Sequence, residues 1–126
     1  MGKTILVIDD DQNMHILMKM IYGEGSGFRI DEAYSPEEAL QYLEINDEPD
    51  LIFLDIMMPE RSGLEFLDVL NEKDITAPVI MLTAVDRASA AVEAMKKGAD
   101  DYIVKPVDAD IIRTKVDQVL TKRKKD

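Results

Sequence analysis

Apolar residues fall along this chain in two alternating rhythms. Thr4 to Ile8, Leu51 to Leu54 and Val79 to Leu82 are short apolar runs without a period of two. Such runs suit strands covered on both faces, as in a parallel sheet flanked by helices. Between them apolar residues return at helical spacing: Met14, Leu17, Met18 and Ile21, then Ala39, Leu40 and Leu43, then Phe66, Leu67 and Leu70. Ala88, Ala91, Val92 and Met95 predict the buried face of a fourth helix, and Ile112, Val116 and Val119 that of a fifth. Phe28 to Tyr34 reads as a strand interrupted by Arg29, Asp31 and Glu32, as expected near a sheet edge, and Tyr102 to Val104 as a short last strand.

Punctuation agrees with this reading. The first helix fades near Gly23 and Gly25. Ser35-Pro36-Glu37-Glu38 starts the second: serine caps, proline suits the first helical position, and Glu38 reaches back to complete a capping box. Ser62-Gly63-Leu64-Glu65 offers a second box, Gly98 ends the fourth helix, and Asp108 caps the last. Strand alternating with helix, repeated to about five of each, predicts an α/β domain with parallel strands and right-handed crossovers. The 126 residues suffice for one domain with a real core, and no linker, repeat or low-complexity stretch divides them, so 1–126 is expected to be a single domain.

Composition narrows the function. At 46% hydrophobic and 33% charged the chain is globular in type, with no apolar stretch approaching a membrane span and no signal-peptide architecture at its start. Cysteine is absent, which removes disulfides and thiol chemistry and is compatible with a cytoplasmic location. A net charge of −11 argues against direct nucleic-acid binding and is compatible with a bound cation. The cations Arg113, Lys115, Lys122, Arg123, Lys124 and Lys125 crowd the C-terminus, where they suit the negative end of a helix or a charged exit toward a partner.

In a parallel sheet the strand ends share one edge, where such folds place their ligands. The first strand brings Asp9 and Asp10 there, the third Asp55, the fourth Thr83 and the fifth Lys105, while the second contributes nothing obvious. Taken alone, Asp55 could merely start the turn through Met57-Met58-Pro59. Three neighbouring carboxylates repel one another, and a hard divalent cation such as Mg2+, or Mn2+ in its place, removes the conflict. The Lys105 amine and Thr83 hydroxyl are poor partners for that metal and good ones for phosphoryl oxygens. The set reads as a metal plus a phosphoryl group, with a carboxylate as candidate nucleophile.

Val7-Ile8-Asp9-Asp10, Leu54-Asp55-Ile56-Met57-Met58-Pro59 with Gly63, Leu82-Thr83-Ala84, Gly98-Ala99-Asp100-Asp101-Tyr102 and Val104-Lys105-Pro106 occur in order over nearly the whole chain. In this the chain resembles the response-regulator receiver domains of two-component signalling, the chemotaxis-regulator-like family. The resemblance implies a doubly wound, five-stranded parallel sheet with flavodoxin-like order 2-1-3-4-5. It implies a phosphoacceptor at Asp55, with Asp10, Asp55 and the backbone carbonyl of Met57 as direct Mg2+ ligands and Asp9 acting through water. Lys105 would pair with the phosphoryl group, Thr83 would donate a hydrogen bond to it, and Tyr102 would be an aromatic switch. Ala84 is small, as the family usually requires beside the acceptor. A cis peptide is implied between Lys105 and Pro106. Met57 and Val85 would flank the approach of hydrolytic water and tune dephosphorylation. The implied partners are a histidine kinase or histidine phosphotransfer protein upstream, and a downstream protein or an output domain. One departure is Val107, where the family often has phenylalanine or leucine.

Three other readings are weaker. Asp9-x-Asp11-x-Asn13 resembles the start of a calcium EF-hand loop, but Met14 and Met20 stand where glycine and glutamate are required. Asp9-x-Asp11 also resembles haloacid-dehalogenase-type phosphatases, which need threonine or valine where this chain has Asn13. A pure interaction module would not need all five chemical positions. His15, the only histidine, is expected on the helix surface beside the Met14, Leu17, Met18 stripe, and the methionines are expected in the core.

Overall fold

The computed structural model describes residues 2–58, 62–84 and 88–125, the side chains of 88 and 123–125 aside. Its elements alternate throughout: β1 (Lys3–Ile8), α1 (Gln12–Ile21), β2 (Phe28–Ala33), α2 (Pro36–Ile45), β3 (Leu51–Asp55), α3 (Gly63–Glu72), β4 (Val79–Ala84), α4 (Ala88–Lys96), β5 (Asp101–Lys105) and α5 (Ala109–Lys125). The sheet has five parallel strands in the order β2-β1-β3-β4-β5, the doubly wound order expected above. No helix among the described residues is long and apolar enough to cross a membrane.

Strand parity sorts the core into two layers. Ile5, Val7, Leu51, Phe53, Ile80, Leu82 and Ile103 pack against Met14 and Met18 of α1 and Ile112, Val116 and Val119 of α5. Leu6, Ile8, Ile52, Leu54, Val79 and Met81 pack on the other face with Ala39 of α2, Phe66, Leu67 and Leu70 of α3 and Ala94 of α4. Register keeps like parity aligned, with Ile5 opposite Leu51, Phe53 opposite Ile80 and Leu82 opposite Ile103. Both faces of the central strands are therefore dry, which is why those strands read as unbroken apolar runs.

Acidic side chains clamp the opposite edge of the sheet. Asp50 accepts from the Thr4 N–H through Oδ2 at 2.7 Å, and its own N–H donates to the Thr4 carbonyl at 2.8 Å. Asp100 repeats the arrangement with Val79, at 3.0 and 2.8 Å. Helix starts follow the caps read from sequence. Ser35 Oγ accepts from the Glu38 N–H and Ser62 Oγ from the Glu65 N–H, at 3.1 and 3.2 Å. The return arm of the first box goes one residue further back, Glu38 Oε1 accepting from the Tyr34 N–H at 2.9 Å. Asp108 caps α5 through the Asp110 N–H at 2.7 Å, and Gly98 takes φ +104° after α4.

Two expectations need correction. The buried face of α4 is Ala91 and Ala94, whereas Val92 and Met95 are 55% and 39% exposed. This helix lies on the sheet through alanines, so reading the larger side chains as the inner face rotated it. His15 is the second correction: it is buried, 1% exposed, because Met14, His15 and Met18 together form the inner face of α1. Its ring stacks on Tyr34, centroids 4.0 Å apart.

Gly63 joins α3 to the end of β3. Its N–H donates to the Ile56 carbonyl at 2.7 Å, and a Cβ there would stand 2.8 Å from Ile56 Cα and closer still to the Asp55 carbonyl oxygen. Those neighbours are backbone and cannot swing away. Gly63→Ala should therefore destabilise the fold by about 1–3 kcal/mol, the range of an overpacked core site, measured as a lower midpoint in urea at unchanged slope. A variant as stable as the parent would contradict this packing.

Candidate functional site

The residue after β1 and the last residues of β3 and β5 share one parity, and these candidate side chains meet. Asp9, directly after β1, has no exposed surface. Its N–H donates to the Ala33 carbonyl at 3.1 Å, its Oδ1 accepts from the Asp11 N–H at 2.9 Å, and its Oδ2 accepts from Lys105 Nζ at 3.0 Å. Asp55, 5% exposed, accepts from the Met57 N–H at 3.2 Å, and its Oδ2 lies 3.6 Å from the same lysine nitrogen. Asp10 is exposed, yet carboxylate oxygens of Asp9, Asp10 and Asp55 all lie within 4.8 Å of one another. Asp11 leaves this group: it caps α1 by accepting from the Asn13 N–H at 2.9 Å.

The electrostatics follow from crowding and burial. Burial first, then the neighbouring Asp9 charge, pushes the Asp55 carboxyl up from 3.8 to about 7, against the opposing pull of Lys105. For Lys105, burial works against the charge, but the bond to Asp9 and the charges of Asp9 and Asp55 outweigh it and hold the amine above its usual range. One ammonium thus serves two buried carboxylates and leaves the set with net negative charge. The all-oxygen donors and that excess charge suit a hard divalent cation.

The remaining candidates lie on β4, on β5 and its end, and just after β3. Thr83 is buried at the end of β4, in the alternate parity, and its hydroxyl donates to the Ala84 carbonyl at 3.2 Å. Tyr102 on β5 is 39% exposed, and Met57 is 49% exposed beside Asp55. The Lys105–Pro106 peptide is cis. Val85 and Pro59 lie outside the described residues. The second strand, read as contributing nothing obvious, does take part: Ala33 receives the Asp9 N–H, and Glu32, with Tyr34 just after the strand, flanks His15, whose Nε2 lies 2.7 Å from the Asp9 carbonyl oxygen. The interruption of β2 by polar residues was the available signal, but reading it required knowing that α1 turns His15 inward.

Residues 5–117 match the family model for the response regulator receiver domain. The chain belongs to the response-regulator receiver family. It is 41% identical over 107 residues to the chemotaxis protein CheY of Listeria monocytogenes, covering 84% of this chain and 88% of that protein. It is 37% identical over 120 residues to the alkaline phosphatase synthesis transcriptional regulatory protein PhoP of Bacillus subtilis, covering 95% of this chain and 49% of the relative. The chain thus spans about half the length of PhoP and of several other curated relatives it matches. The signal receiver domain of a LuxO repressor protein from Vibrio parahaemolyticus superposes with a TM-score of 0.88 at 32% identity, covering 98% of this chain and 94% of that one. As a receiver, this chain is a phosphoacceptor module of two-component signalling rather than a conventional enzyme.

The raised Asp55 carboxyl has a consequence for stability without divalent cations. In the unfolded chain this group titrates near 3.8, and in the folded protein near 7. Between those values the folded state holds a proton that the unfolded state has lost, so stability falls as pH rises through the window. In EDTA, Asp55→Asn should flatten that decline and exceed the parent at pH 8 by about 2 kcal/mol, a magnitude set by 1.36 kcal/mol per pKa unit with allowance for coupling. Parallel pH profiles for the two proteins would refute the assignment.

Proposed function

We propose that Asp55 is the phosphoacceptor of this receiver. The observation that carries the reading is the convergence of Asp9, Asp10 and Asp55, with oxygens within 4.8 Å, under an amine that reaches two of them. An Asp55 carboxylate oxygen attacks the phosphorus of a phosphohistidine on a histidine kinase or histidine phosphotransfer protein. The new O–P bond forms as the N–P bond breaks, and the departing imidazole regains its proton. The donor set fits Mg2+, with Mn2+ as a substitute: Asp10, Asp55 and the Met57 carbonyl would hold it directly, and Asp9 through water. When bound, it supplies positive charge that offsets the carboxylates and the incoming phosphoryl oxygens.

Lys105 pairs with the phosphoryl group in exchange for part of its present contact with the carboxylates. Thr83 turns its hydroxyl toward the same oxygens, and Tyr102 turns inward in concert. The outcome is a population shift between two conformations that a downstream protein or an output domain reads. The same site catalyses its own phosphorylation and its own hydrolytic reset. Residues 1–126 act as a single receiver domain in the cytoplasm, without direct contact to nucleic acid or membrane.

Incubation with a small phosphodonor and Mg2+ tests the acceptor. Asp55→Asn keeps the shape and removes the nucleophile, so labelling should fall about a hundredfold or more while the fold persists. Asp9→Asn should still label, which separates this chemistry from that of a phosphatase using the first aspartate. Label persisting on Asp55→Asn, or lost only with Asp9, would overturn the assignment.

Met57 and Val85 set the lifetime of the acyl phosphate. Both are apolar and orient no water, and half-exposed Met57 stands beside Asp55. Met57→Asn should shorten the lifetime several-fold, roughly the effect of positioning one reactant, and adding Val85→Glu should shorten it further. Dephosphorylation followed at saturating Mg2+ measures this, and an unchanged or longer lifetime would remove both residues from that role.

A further inference from the structure

His15 is the one ionisable side chain of α1 turned into the protein rather than toward solvent, and its surroundings specify what it does. Its Nε2 lies 2.7 Å from the Asp9 carbonyl oxygen. A carbonyl only accepts, so Nε2 carries the hydrogen and donates. Nδ1 has no hydrogen-bond partner among the described residues, and Glu32 Oε1 lies 3.4 Å from it. The ring is stacked on Tyr34 at 27°. Glu32 is itself fixed, held by Lys19 Nζ at 2.6 Å and by the Tyr34 hydroxyl at 3.0 Å. If packing alone mattered here, a leucine or phenylalanine would fill the space without burying two ring nitrogens. What imidazole adds toward the acidic site is the Nε2 donor, and that donor goes to Asp9.

We propose that His15 is a positioning residue of the acidic site, acting on Asp10 through the Asp9–Asp10 peptide. That peptide is planar, so its carbonyl oxygen, its N–H and the Cα of Asp10 move as one unit. The preceding peptide is anchored by the Asp9 N–H on Ala33. His15 anchors the next one, and the two together set the direction in which the chain leaves β1 and hence where the Asp10 carboxylate stands. Repulsion from Asp9 and Asp55 would otherwise drive the exposed Asp10 outward. The edge strand β2 and helix α1 thereby support a ligand that neither of them carries. This rests on the reading of Asp10 and Asp55 as cation ligands.

Three variants test it. His15→Phe keeps an aromatic ring against Tyr34 and removes the donor, and His15→Leu removes the donor with less bulk. His15→Gln returns an amide N–H to the reach of Nε2. In metal-free protein, the Asp9 carbonyl carbon and Asp10 amide nitrogen resonances should move in whichever of the first two variants folds, and move back in His15→Gln. Mg2+ affinity by titration calorimetry should weaken about tenfold without the donor, the lower end for losing a residue that supports a metal ligand. His15→Gln should bind within about threefold of the parent, well inside that same loss. Asp10→Ala is the reference for losing the ligand itself. Loss of affinity in Asp10→Ala with parental affinity in the donor-less variant overturns the positioning role alone. Equal losses in the glutamine and donor-less variants also overturn it, since packing would then explain both. Parental affinity in Asp10→Ala overturns the cation site and this role with it.

Discussion

Parallel register is the constraint on which the rest depends. Because all five strands run the same way, their carboxyl ends share one edge, and the odd-numbered series of β1, β3 and β5 end there as Asp9, Asp55 and Lys105. The same parity, further back along the strands, builds the layer of Ile5, Val7, Leu51, Phe53, Ile80 and Leu82 beneath α1 and α5. Site and core are one pattern read at different depths. A slip of one residue in any of these strands would send its candidate site residue to the opposite face.

What this register assembles is costly. Asp9 and Asp55 are both buried, Asp10 stands close by, and one lysine does not neutralise the three. The raised Asp55 carboxyl expresses that conflict directly. A dry, well-packed sheet bears it, and a stability–function trade of this kind is common where a site must await a ligand. Backbone contacts keep the edge from spreading: the Gly63 N–H closes on Ile56, and the Ile56 N–H reaches the Leu82 carbonyl at 2.9 Å.

The two faces of the sheet are used differently. On one, α1 brings a hydrogen-bonding imidazole to the carbonyl of Asp9 and links the site to the edge strand. On the other, α4 packs through alanines and leaves Val92 and Met95 outside, on the helix preceding β5 and its half-exposed Tyr102. Thr83 falls in the parity of that second face while lying at the site edge, so it joins the carboxyl edge of the sheet to the layer containing α4.

Much of this was legible in the residues themselves. Unbroken apolar runs specified doubly covered strands, because burial on both faces leaves no position for a polar side chain. Turn and cap residues placed the helix starts, because their hydrogen bonds are local, as Ser35, Ser62 and Asp108 show. Alternation of the elements then led to a parallel sheet and so to the gathering of Asp9, Asp10, Asp55 and Lys105. Tertiary structure alone decided the rest. Whether alanine or valine faces the sheet depends on how closely α4 approaches it, which periodicity does not encode when two adjacent stripes are both apolar. His15 turned inward because Tyr34 and the Asp9 carbonyl, distant along the chain or hidden in the backbone, supplied a stack and an acceptor. Local chemistry is written in sequence, but the partner of a buried polar group is chosen by whatever the fold brings against it.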